Sequence, residues 1–110
     1  NKVKDANAAS QATTAENIAK TISLYLAEEA TPTVAGLKTY LTGAGYTIEG
    51  TPTANKTITI TANKTKYDLT CTPDAKDADG NVTTVGDTKI EFTDAKGKAN
   101  TYTVKGGIAA

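Results

Sequence analysis

Residues 18–26 read Ile18-Ala19-Lys20-Thr21-Ile22-Ser23-Leu24-Tyr25-Leu26, and their spacing decides the fold. Ile18, Ile22 and Tyr25 or Leu26 recur every three or four positions, the period of one helix face. Toward the N-terminus, Ala8, Ala12 and Ala15 extend the same stripe, and neither proline nor glycine interrupts residues 3–29. The spacing predicts one long amphipathic helix over that range. Its halves differ in what they can bury. Before Ala15 the stripe offers only small side chains, whereas Ile18, Ile22, Tyr25 and Leu26 carry large apolar ones. Only the second half can anchor a core, and these four residues are the expected helix-sheet packing face.

Downstream, Pro32 ends the helix, and Thr33 is placed to N-cap a short second one over residues 34–42 with Val34, Leu37 and Leu41 on one side. Gly43 and Gly45 are suited to stop it. Beyond Gly45 the period changes to two. Tyr46 with Ile48, then Ile58, Ile60 and Ala62, then Tyr67, Leu69 and Cys71, then Ile90 and Phe92, and finally Tyr102 and Val104 form the inner faces of successive strands. Thr57, Thr59, Thr61, Thr70, Lys89, Glu91, Thr101 and Thr103 form the other face. Such one-sided apolarity is the mark of an antiparallel sheet with one face covered. Short polar segments at 62–65 and 94–98 suit hairpin turns, and 73–87 reads as a longer loop with room for a small turn of its own. Thr72-Pro73-Asp74-Ala75-Lys76 and Thr93-Asp94-Ala95-Lys96 resemble one another, which we read as shared turn chemistry. The expected fold class is therefore α+β, a long N-terminal helix packed on one face of a single four- to five-stranded antiparallel sheet. The whole chain, 1–110, reads as one domain: helix to residue 30, helix-sheet connection over 31–45, sheet over 46–110.

Composition narrows the function. Lys+Arg 12 balance Asp+Glu 12, so no general attraction to nucleic acid is expected. Ile, Leu, Val and Phe total 18 residues, low for a core, but disorder also requires a large net charge, which is lacking. Alanine concentrates early and threonine later, helix before sheet. The single cysteine, Cys71, forbids an intrachain disulfide. No transmembrane run or signal peptide is evident, and Asn1 opens directly into the helical pattern, as expected of a processed or truncated end.

Candidate chemistry is sparse. Asp77-Ala78-Asp79-Gly80-Asn81 echoes a calcium loop, but its glycine is fourth instead of sixth, and Thr88 stands where a bidentate glutamate belongs. Asp74, Asp77, Asp79 and Asp87 could offer oxygens only in some other geometry, and a solvated loop is the expected reading. Cys71 falls on an inner face, and without any histidine it has no ready base. Glu16, Glu28, Glu29 and Glu49 are expected in water. Tyr25, Tyr40, Tyr46, Tyr67 and Tyr102 could form a sugar-binding or base-stacking platform, but Tyr25, Tyr67 and Tyr102 lie on inner faces, so they are expected as core first and contacts second. Asn55-Lys56-Thr57, Asn63-Lys64-Thr65 and Asn81-Val82-Thr83 match the N-glycosylation acceptor, a frequent accidental match in so threonine-rich a chain. No catalytic residue, metal or cofactor is expected.

The order of elements resembles the soluble domain of type IV pilins and of the pseudopilins of type II secretion systems. Asn1-Lys-Val-Lys-Asp-Ala-Asn-Ala-Ala-Ser10 is similar to the stretch that follows their membrane segment, and Ile22-Ser-Leu-Tyr-Leu-Ala-Glu-Glu29 to the end of their helix, which docks on the sheet. The chain departs from the family in having no processing site, no hydrophobic N-terminal segment and no paired cysteines. The resemblance implies a non-catalytic subunit of an extracellular, cell-surface filament, Gram-positive or otherwise disulfide-free. Its partners would be copies of itself and other pilins, and it would meet a membrane only through an upstream apolar span. Some pseudopilins hold calcium near the sheet, the setting in which the aspartates above would act. Ala6, Ala8, Ala9, Ala12 and Ala15 then become possible subunit contacts, because small side chains let helices approach closely, although they are equally plain helix formers. The rival is a threonine-rich adhesin or immunoglobulin-like binding domain, of the kind that a Lys-Asn isopeptide can cross-link, in which the long helix has no place.

Overall fold

The computed structural model describes residues 1–49 and 57–110. Helix α1 spans Lys2–Glu28, opened by Asn1, whose side-chain oxygen accepts from the Lys4 N–H at 2.9 Å. It ends at Glu29, whose backbone is extended. Helix α2 spans Val34–Gly43, and its N-cap Thr33 accepts from the Gly36 N–H at 3.0 Å. Its far end closes in a Schellman motif: the Tyr46 N–H donates to Leu41 and the Gly45 N–H to Thr42, with Gly45 at φ +99°, where a side chain would be strained.

Seven strands follow: β1 Thr47–Ile48, β2 Thr57–Ala62, β3 Thr65–Thr72, β4 Ala75–Lys76, β5 Val82–Thr84, β6 Asp87–Thr93 and β7 Ala99–Lys105. Five form one antiparallel sheet in the order β1-β2-β3-β6-β7. The fold is thus α+β, with α1 against a single main sheet and no second large layer among the described residues. That is not the architecture of a two-sheet sandwich.

The period-two pattern holds in space. Ile58, Ile60, Tyr67, Leu69, Cys71, Ile90, Phe92 and Val104 are buried on the face turned to the helices, and Tyr102 is half-buried beside them. The β2–β3 hairpin turns through Asn63 and Lys64, both at positive φ, as a two-residue turn matched to strand twist requires.

Four features differ from the sequence-based expectation. The loop at 73–87 contains a hairpin of its own, β4–β5, too short for any periodicity to reveal. The repeated turn is real but shifted. Asp77 and Asp94, not Asp74, are the equivalent residues: each carboxylate accepts from the N–H groups two and four positions on, and Gly80 and Gly97 close the turns with N–H bonds to Asp77 and Asp94. Cover for the sheet is shared, because Val34, Leu37 and Leu41 of α2 are buried alongside Ile18, Ile22 and Tyr25 of α1. Finally, the C-terminal tail belongs to the core. Ile108 is fully buried, the Val34 N–H donates to Ala109 at 2.9 Å, and the Ala109 N–H to Pro32 at 3.1 Å, tying the tail to the start of α2.

Candidate functional site

The helix-facing side of the sheet is filled by side chains, so the features open to partners lie on α1, along the sheet's rims and on its outer polar face. α1 runs the length of β7 in the same direction. Gln11 bonds at the turn before β7, and Leu26 lies against Gly106 just after it. Ile18 and Ile22 are fully buried and Tyr25 nearly so, while Leu26 is half-buried at the margin. The Tyr25 hydroxyl reaches past the core, accepting from the Thr33 N–H at 3.0 Å and donating to the Thr33 carbonyl at 3.2 Å. One side chain thus anchors α1 and positions the α2 cap.

The small-residue face is divided. Ala15 is fully buried and belongs to the core, so it is not available to another subunit. Ala8 and Ala12 are half-buried, whereas Ala6 and Ala9 are exposed. Residues 1–10 are exposed apart from Ala8, and Val3 stands 69% exposed. What fixes this half of α1 is polar. The Gln11 side-chain amide donates to Thr65 Oγ1 at 2.9 Å and accepts from the Ala95 N–H at 2.8 Å, clamping two hairpin turns, and Asp5 pairs with Lys96 at 3.0 Å. A single glutamine on a helix leaves no periodic trace, so the sequence did not reveal this clamp. Beside it lies a polar hollow of about 280 Å³ bordered by Ser10, Thr14, Asn63 and Tyr67. Burial pushes the Tyr67 hydroxyl's pKa up, against bonds to Thr14 and Thr65 that favour its ionised form.

The other candidates do not converge. Asp77 is occupied by backbone N–H groups, and Asp74 accepts from the Gly86 N–H at 2.7 Å. Asp87 sits in β6 opposite Lys105. Among the described residues no group of three or more His, Cys, Asp or Glu side chains could hold a metal ion. Cys71 is fully buried, with the inward Thr88 hydroxyl 3.6 Å from its sulfur, and burial pushes the thiol's pKa up, opposite to what a nucleophile needs. The four candidate glutamates, Glu16, Glu28, Glu29 and Glu49, are exposed and dispersed: Glu49 pairs with Lys66 at 3.1 Å, and Glu28 lies beside Tyr40, whose pKa is raised by desolvation and by that carboxylate. Tyr25 and Tyr40 pack as tilted rings with centroids 5.4 Å apart, Tyr67 and Phe92 likewise at 4.9 Å, so these aromatics serve packing; Tyr46 is half-buried. Asn63 and Asn81 are exposed at turns, and the Asn55 acceptor lies outside the described residues. No helix among the described residues is long and apolar enough to cross a membrane, and the one cysteine is free.

No family model, characterised protein or solved structure matches the chain.

Proposed function

We propose that the chain is the head of a non-catalytic, pilin-like subunit that assembles into an extracellular filament through α1. One observation carries this reading: α1 buries Ile18, Ile22 and Tyr25 against the sheet while its first ten residues stay regular helix with almost nothing packed on them. A helix of 27 residues is about 40 Å long, more than docking on this sheet requires. The surplus presents Ala6 and Ala9 outward with Ala8 at the margin, a surface other helices can approach closely. In this reading the helix continues upstream into an apolar span that holds the subunit in a membrane before assembly, and its partners are further copies and related subunits. A pseudopilin shares these features. A threonine-rich adhesin is disfavoured by the single main sheet and the long helix.

The experiment is immunogold electron microscopy on cells that make the protein, with antibodies against this domain. Filaments decorated along their length are expected. Label confined to the cell interior, or spread on an envelope bearing no filaments, would overturn the reading.

A further inference from the structure

The two edges of the main sheet are unequal. β1 is two residues long, whereas β7 runs for seven in unbroken register with β6. Just before β7 the Asp94 N–H donates to Lys98, and just after it the Gly106 N–H donates to Gly86, both at 2.9 Å. Bonded and non-bonded pairs alternate along an antiparallel ladder. Asn100, Tyr102 and Val104 therefore give their N–H and C=O groups to β6, while Ala99, Thr101, Thr103 and Lys105 turn theirs away from the sheet. No described backbone group bonds to those outward groups.

Natural sheets blunt such edges with lysines or proline on the edge, a bulge or an inward-pointing charge. β7 has no proline and no register shift, its inward residues Asn100, Tyr102 and Val104 are uncharged, and its one charge, Lys105, stands at the strand's last position. Alongside it, between strand and helix, runs a groove of about 630 Å³ lined by Ala19, Ser23, Leu24 and Val104 and flanked by Lys20 and Lys105, with Leu24 55% exposed.

We propose that β7 pairs antiparallel with β7 of a second copy about a two-fold axis at Tyr102, joining two five-stranded sheets into one. This register sets Thr101 opposite Thr103 and Ala99 opposite Lys105, so all four outward-facing residues of both copies find partners. Thr-Thr neighbours are favourable across strands, and no like charges stand directly opposed. A second copy is the fitting occupant because each molecule brings the same unpaired edge, and one register satisfies both. The contact is independent of α1-mediated assembly and does not rest on it.

Sedimentation of the unmodified chain from micromolar to millimolar concentration tests the pairing, together with amide exchange followed by NMR. A dimer fraction that rises with concentration is expected, with the Thr101 and Thr103 amides slowing by about tenfold or more as it forms. Thr103→Pro removes only an outward N–H, which an edge strand tolerates, and should abolish the dimer with the circular dichroism spectrum unchanged. A monomer at every concentration overturns the proposal. So does a dimer in which the Thr101 and Thr103 amides exchange as fast as in the monomer, a result readable on the unmodified chain even if Thr103→Pro does not fold.

Discussion

The two halves of α1 share a period and a face but are held by different physics. Past residue 14 the face buries Ala15, Ile18, Ile22 and Tyr25, and contact with the sheet removes large apolar surfaces from water. Before that point the face offers alanines and polar groups, and the helix is located by Gln11 and by the exposed Asp5–Lys96 pair. The difference teaches that periodicity tells which side of a helix faces the protein, and side-chain size tells how far along the helix that contact confers stability.

The strongest way to break the distinction is to give the second half an alanine of the first. Ile22→Ala should cost about 2–5 kcal/mol in denaturant unfolding, because Ile22 is fully buried and its site cannot collapse freely. Tyr25→Phe keeps the ring but leaves the Thr33 N–H without its partner, while the Thr33 carbonyl still accepts from the Leu37 N–H, for a loss of about 1–3 kcal/mol. A methyl group at Gly36 would collide with that hydroxyl, so Gly36→Ala should cost less in the Tyr25→Phe background than alone. A double-mutant cycle measures the coupling.

In the first half, Gln11→Ala should cost about 1–2 kcal/mol, one neutral hydrogen bond at each of two turns, and should speed amide exchange at Ala95. The smallest effect is on pH. Backbone N–H bonding from Lys98, then the Asn100 amide and the Lys96 N–H, hold the Asp94 carboxyl below its ordinary value of 3.8. Its contribution to the β6–β7 turn is present above that value and fades as pH falls through the folded-state pKa. In an NMR titration the Asp94 carboxyl should therefore protonate below pH 3.8, and the Lys96 and Lys98 amide shifts should move with it.

Much of this fold was legible in the sequence. The 3.6 and 2.0 periods located α1, α2 and the long strands, and Thr33, Gly45 and the Asn63-Lys64 turn carried recognisable local chemistry. Other features lacked the length or the pattern to be read. Ile108 stands alone in a tail too short for a period. Thr88 follows the inward phase of Ile90 and Phe92, yet as a threonine it reads as surface. Strands β4 and β5 are shorter than one alternation cycle of use. Of the candidate contact surface, the alanine face was visible, but its division was not. Only the sheet beneath it shows that Ala15 lies inside while Ala6 and Ala9 remain outside.

Urea unfolding of the chain lacking residues 1–10, set beside the intact chain, tests the division of α1 most directly. Those residues bury little, so a loss of less than about 1 kcal/mol is expected, with the denaturant slope nearly unchanged. A loss as large as that of Ile22→Ala would show that the first half also anchors the sheet, and would remove the basis for treating it as free for assembly.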